Sequence, residues 1–125
     1  MDKVRIGLIG YGGMGSNHCR TLSQGKVPGG ELTAVCDINP ERLRLAKDNF
    51  GDSVQVFEDA DAMIASGAVD AIMVATPHYD HPPLTIQALQ GGLHALCEKP
   101  AGVYTKQVRE MNEAAANSDK VFAVM

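Results

Sequence analysis

Residues 4–15 read VRIGLIGYGGMG. The apolar run Val4 to Ile9 has the character of a strand buried on both faces. It passes without a spacer into Gly10-Tyr11-Gly12-Gly13-Met14-Gly15, a G-x-G-x-x-G loop. Alone, that pattern is a weak signal in a chain with 13 glycines among 125 residues. Directly behind a strand and at the mouth of a helix it acquires a mechanism. Gly10 permits the tight turn, Gly12 lets the backbone approach a pyrophosphate, and Gly15 lets the helix pack close to the strand. The helix N-terminus then offers unpaired N–H groups and partial positive charge to the phosphates. The competing reading is a purely structural turn.

Outward from this loop the chain alternates strands with helices. Cys19 and Leu22 mark a first helix, ended by Gly25 and the Pro28-Gly29-Gly30 turn. Leu32 to Cys36 is a second strand. Asn39 caps a helix with Pro40 at its first position and Leu43, Ala46 and Phe50 on its inner face. Val54 to Phe57 is a short third strand, and Asp59 caps a brief helix with Met63 and Ile64. Ala71 to Ala75 is a fourth strand, Pro82 to Gln90 a helix closed by Gly91-Gly92, and His94 to Cys97 a fifth strand. Thr105 caps a helix with Val108, Met111 and Ala115 on one face, and Val121 to Met125 opens a sixth strand. Right-handed crossovers between such elements give an α/β, doubly wound parallel sheet of about six strands. Residues 1–125 form a single domain without an internal boundary. The apolar end VFAVM suggests a chain cut just after its sixth strand, with a second domain to follow.

Composition narrows the partners. Eleven Lys+Arg against fifteen Asp+Glu give a net charge of −4, which argues against nucleic acid. The 45% hydrophobic and 21% charged shares suit a folded globular domain. No apolar run approaches the roughly 20 residues of a membrane span, and the N-terminal apolar stretch lacks the cleavage site of a signal peptide. Cys19, Cys36 and Cys97 cannot all pair, and each sits in an apolar segment. Reduced thiols in a cytoplasmic protein are expected.

Asp37 stands 22 residues beyond Gly15, at the end of the second strand. A carboxylate there accepts hydrogen bonds from both hydroxyls of an adenosine ribose and repels a 2′-phosphate. NAD is therefore expected over NADP. Arg42 softens that preference if it reaches a 2′-phosphate, although a solvated helix-face charge is its simpler reading. Asp37 could also serve only as a turn residue before Asn39-Pro40.

Thr76-Pro77-His78-Tyr79-Asp80-His81 follows the fourth strand at its carboxyl end, where doubly wound sheets bind ligands. Pro77 forces Thr76 out of helical geometry. Glu98-Lys99-Pro100 has the same place after the fifth strand. Lys99 there could bond a ribose hydroxyl and a substrate oxygen, putting positive charge where alkoxide character develops. No metal site is expected. His94 and Cys97 lie in one strand and point to opposite faces, while His78 and His81 lack a third ligand. His18 is expected to pack or cap.

On these residues the chain resembles the N-terminal domain of the glucose–fructose oxidoreductase, inositol dehydrogenase and rhizopine-catabolism family (Gfo/Idh/MocA). GYGGMG, AVCD, ATPHYDH and HALCEKPAG carry the likeness, which covers essentially the whole chain. The resemblance implies a Rossmann dinucleotide-binding domain of an NAD(P)-dependent oxidoreductase acting on CH–OH groups of sugars, inositols or related polyols. It implies a C-terminal substrate domain, absent here, which carries the acid/base histidine and the interface of a homo-oligomer. Carried over by motif, the cofactor residues are Gly10, Tyr11, Gly12, Gly13, Met14 and Gly15, then Asp37 and Ile38. Ala75, Thr76, Pro77 and His81 border the cofactor, with Glu98, Lys99 and Pro100 beyond them. Lys99 is the catalytic residue, and Lys99-Pro100 resembles a cis peptide. His78 departs from the asparagine often found after Thr-Pro.

The chain alone is then expected to bind cofactor without turnover. The alternative is a stand-alone dinucleotide-binding or redox-sensing module without catalysis. Exposed apolar surface at the sixth strand or the crevice would promote self-association.

Overall fold

A computed structural model describes residues 2–125. In chain order the elements are β1 (Val4–Ile9), α1 (Gly13–Ser23), β2 (Gly30–Cys36), α2 (Pro40–Phe50), β3 (Gln55–Phe57) and α3 (Ala60–Ala65). β4 (Ala71–Val74), α4 (His81–Gln90), β5 (His94–Cys97), α5 (Thr105–Ala116) and β6 (Phe122–Val124) complete it. The strands form one sheet in the order β3-β2-β1-β4-β5-β6, parallel throughout. Because β1 lies between β2 and β4, the strand order reverses there. A doubly wound sheet opens its ligand crevice at that switch point.

Alternating side chains divide the interior into two layers. Leu8, Val35 and Met73 meet Cys19 and Leu22 of α1 and Leu43 and Ala46 of α2 on one face. Ile9, Ala34, Ile72 and Val74 meet Met63, Ala88 and Leu89 on the other. Each fully buried aliphatic side chain contributes about 1.5–3 kcal/mol, which is why β1 from Ile6 onward and all of β4 carry no polar side chain. The amino end of the sheet is tied by Arg5, whose N–H and guanidinium both bond Asp70, with Nη1 donating to the Gly67 carbonyl.

Asn39 and Asp59 cap as expected, accepting the N–H of Glu41 at 3.0 Å and of Asp61 at 3.1 Å. Thr105 does not cap. It is the first helical residue, the capping position falls to Tyr104, and no side-chain bond forms there. The Tyr104 carbonyl accepts the Val108 N–H at 3.1 Å, and buried Met111 anchors the helix instead. β2 begins two residues earlier than the apolar pattern implies, because Gly30 pairs with Val4. His81, rather than Pro82, opens α4 behind a 3-10 turn at His78–Asp80. β3 starts at Gln55, and β6 pairs with β5 only over Phe122–Val124.

Candidate functional site

The carboxyl ends of β1, β2 and β4 open onto a cleft of about 730 Å³. Its floor is the glycine loop. Gly10 has φ +99°, and a Cβ there would lie 2.7 Å from the Ala75 carbonyl oxygen, so only glycine turns the chain beside β4. A Cβ on Gly15 would fall 1.9 Å from the Gly10 carbonyl oxygen, which is the close helix–strand approach. Gly12, by contrast, opens onto the cleft: a Cβ would meet only Arg42 Nη1, at 3.8 Å. α1 starts immediately after it with no side-chain cap and no acidic residue in its first turn. Its free N–H groups and positive end remain available to an anion.

Asp37 is held from two sides. Oδ2 accepts the Tyr11 N–H at 2.9 Å and Oδ1 the Asn39 N–H at 2.8 Å. Its side chain is 5% exposed, and Arg42 Nη1 stands 3.6 Å from Oδ2. Two backbone donors therefore fix the carboxylate at the rim of the cleft, and lone pairs remain for further donors. Tyr11 contributes its backbone here. Its ring is buried edge-on against Phe50, with the hydroxyl accepting from Asn49 at 2.9 Å.

Ile38, Ala75, Thr76 and Pro77 also line the cleft, and Ile38 is 90% exposed. Three lining acids were not assigned to the site from the sequence: Glu58, the cap residue Asp59, and Asp80 of the Thr76–His81 motif. They sit just beyond β3 or before α4, and only their place after a strand could have pointed to them. With Asp37 they make four carboxylates against the single guanidinium of Arg42, a balance that opposes an added phosphate. Cys36 borders the same space, and burial pushes its thiol up to about 11.

Glu98, Lys99 and Pro100 lie outside this cleft, at the end of β5. Gly13, Met14 and Gly15 are likewise on α1 rather than in its walls, and Met14 is exposed. The Lys99-Pro100 peptide is cis. His81 is 1% exposed. Its Nδ1 is 2.7 Å from the Pro100 carbonyl oxygen and its Nε2 2.9 Å from that of Thr76. It is a strut between two loops and is not turned toward the cleft. His18 does not cap: α1 has no side-chain cap, and the His18 ring pairs with Glu98. His94 and Cys97 diverge, His94 Nδ1 accepting the Val121 N–H at 2.9 Å. No group of three His, Cys, Asp or Glu among the described residues is placed to hold a metal. No helix among them is long and apolar enough to cross a membrane.

A parallel sheet with a glycine turn, a bare helix N-terminus and a fixed carboxylate at the next strand end defines a dinucleotide-binding domain. The profile of the Gfo/Idh/MocA family, described as "Oxidoreductase family, NAD-binding Rossmann fold", matches residues 4–125. The chain belongs to that family and is its NAD-binding Rossmann domain. It is 34% identical over 113 residues to inositol 2-dehydrogenase of Rubrobacter xylanophilus, covering 90% of this chain and 32% of that one. The crystal structure of myo-inositol 2-dehydrogenase from Lactobacillus plantarum superposes with a TM-score of 0.92 at 31% identity, covering 99% of this chain and 36% of that one. The WlbA dehydrogenase from Chromobacterium violaceum, crystallised with NADH and UDP-GlcNAcA, gives 0.92 at 30% identity, with 100% and 35% covered. The chain therefore spans about a third of the length of these relatives.

Proposed function

We propose that residues 1–125 are the cofactor-binding domain of a two-domain oxidoreductase that moves hydride between NAD and a CH–OH group of an inositol or related polyol. The observation that carries this reading is Asp37, a buried carboxylate braced by Tyr11 and Asn39 beside an open Gly12. The cleft has the right cradle for the group: no side chain fills the approach to Gly12, and no acid blocks the first turn of α1. Asp37 would hold the adenosine ribose, Gly10 to Gly15 the pyrophosphate, and Ile38, Ala75, Thr76 and Pro77 the walls of the cleft. When bound, the nicotinamide supplies the hydride acceptor or donor.

Lys99 would act on the substrate side, its exposed ammonium stabilising the oxygen that becomes alkoxide-like. His81 positions it, by tying Pro100 to the Thr76 loop. The preference for an inositol rests on relatives named inositol 2-dehydrogenases, against a nucleotide sugar in the WlbA complex. A cytoplasmic location and a homo-oligomer belong to the same reading of the whole protein.

Calorimetric titration with NAD+ and NADP+ tests the site. Saturable binding that favours NAD+ is expected. Asp37→Ala should weaken NAD+ by roughly 10- to 100-fold, the worth of hydrogen bonds to a charged group. Binding that ignores Asp37→Ala in a chain still folded by circular dichroism would overturn the assignment.

A further inference from the structure

One buried carboxylate stands apart from the acids of the cleft. Glu98 closes β5 and is 9% exposed. Its Oε1 lies 2.5 Å from His18 Nε2, and its Oε2 accepts the Lys99 N–H at 3.2 Å. His18 reaches it from α1, with its side chain only 18% exposed. No lysine or arginine pairs with Glu98 among the described residues. A carboxylate withdrawn from water without a permanent cation is costly, and hydrogen bonds from neutral donors offset that only in part.

Its place in the sheet says which ligand charge it meets. Asp37, at the end of β2, marks the adenosine side. A dinucleotide laid across the β1/β4 switch point carries its other half toward the ends of β4 and β5, where Glu98 stands. The nicotinamide ring is the part of that ligand whose charge changes in the reaction: positive when oxidised, neutral when reduced.

We propose that Glu98, held by His18, reads the oxidation state of the nicotinamide, favouring the cationic oxidised ring over the neutral reduced one. This rests on the dinucleotide reading of the cleft. His18 is a positioning residue: it holds the carboxylate in place and itself bears no permanent charge.

The test is calorimetric titration of the 125-residue chain at pH 8 with NAD+ and, separately, NADH. Glu98→Gln keeps the shape of the side chain and removes the charge. It should weaken NAD+ about tenfold and leave NADH within about twofold. Because oxidation and binding are linked, that tenfold corresponds to about 30 mV in the potential of the bound couple. His18→Lys supplies the missing permanent cation with Glu98 intact, and should cut the NAD+:NADH affinity ratio in the same way. It decides the matter if Glu98→Gln fails to fold. His18→Gln keeps a neutral donor and should preserve the ratio. An unchanged ratio in both charge variants, with binding intact, overturns this proposal and leaves the cofactor reading standing. Binding of neither dinucleotide by the unaltered chain overturns both.

Discussion

At the scale of single residues, the glycine loop separates positions that need glycine from one that does not. A Cβ on Gly15 runs into the Gly10 carbonyl oxygen, which is backbone and cannot swing aside. Gly15→Ala should therefore push α1 off β1, costing about 1–3 kcal/mol in urea unfolding, as overpacking does, and weakening dinucleotide binding. A Cβ on Gly13 would meet nothing within 4 Å, and the residue already sits in the first turn of the helix. Gly13→Ala should be neutral or stabilise by up to about 1 kcal/mol, through lower unfolded-chain entropy and better helix propensity. Equal destabilisation by the two substitutions would refute this division of roles. The G-x-G-x-x-G pattern carried the distinction already, since Gly13 occupies one of its free positions. The role of Tyr11 was less legible: the pattern says nothing about which neighbour donates to Asp37, and that donor is a backbone N–H whose own ring belongs to the core.

At the scale of elements, periodicity and caps located the six strands and five α-helices, because each strand carries an apolar core segment and each crossover is punctuated by Gly, Pro, Asn or Asp. The errors are at element ends, as with Thr105, whose residue type suits a cap although the helix begins on it and Tyr104 precedes it without a side-chain bond. The pairings that shape the site were not legible. His18 and Glu98 are 80 residues apart and His81 and Pro100 are 19 apart, and no local rule links such positions. His81 shows what such a pairing does. It bridges the loops after β4 and β5 between two partly buried carbonyls, so a smaller side chain would remove the imidazole that links them and leave a void. His81→Ala should cost about 2–4 kcal/mol in chemical denaturation, a lost hydrogen bond plus a void, and should speed hydrogen exchange in both loops. A loss confined to α4, with the Pro100 loop unaffected, would show that the strut does not join them.

For the whole molecule, stability and ligand binding are linked through protons and through mass action. Burial pushes the thiols of Cys19 and Cys36 up to about 12 and about 11, and that of Cys97 up as well. Above pH 9 the unfolded chain releases protons that the native chain retains. Stability should therefore decline with rising pH, by about 1.4 kcal/mol per pH unit per thiol, toward pH 11–12. Urea midpoints from pH 8 to 10.5 check this, and Cys19→Ala should flatten the decline. At the acid end, Arg5 holds the Asp70 carboxyl below its usual range. Its contribution is present above about pH 4 and fades as pH falls through the lowered value. That contribution is small because both side chains are over two-fifths exposed and solvent screens the pair. Ligand should act more strongly than either. Dinucleotide at 100 times its dissociation constant adds about 2.7 kcal/mol to the unfolding free energy, which raises the melting temperature of a domain this size by roughly 5–10 °C. NAD+ should produce that rise, NADP+ at the same concentration a smaller one, and Asp37→Ala should abolish the difference. Pyrophosphate alone engages only the glycine loop and the start of α1, so its shift should be a fraction of that of NAD+. A full shift from pyrophosphate, indifferent to Asp37, would assign the cleft to a phosphate ligand that makes no use of the β2 carboxylate.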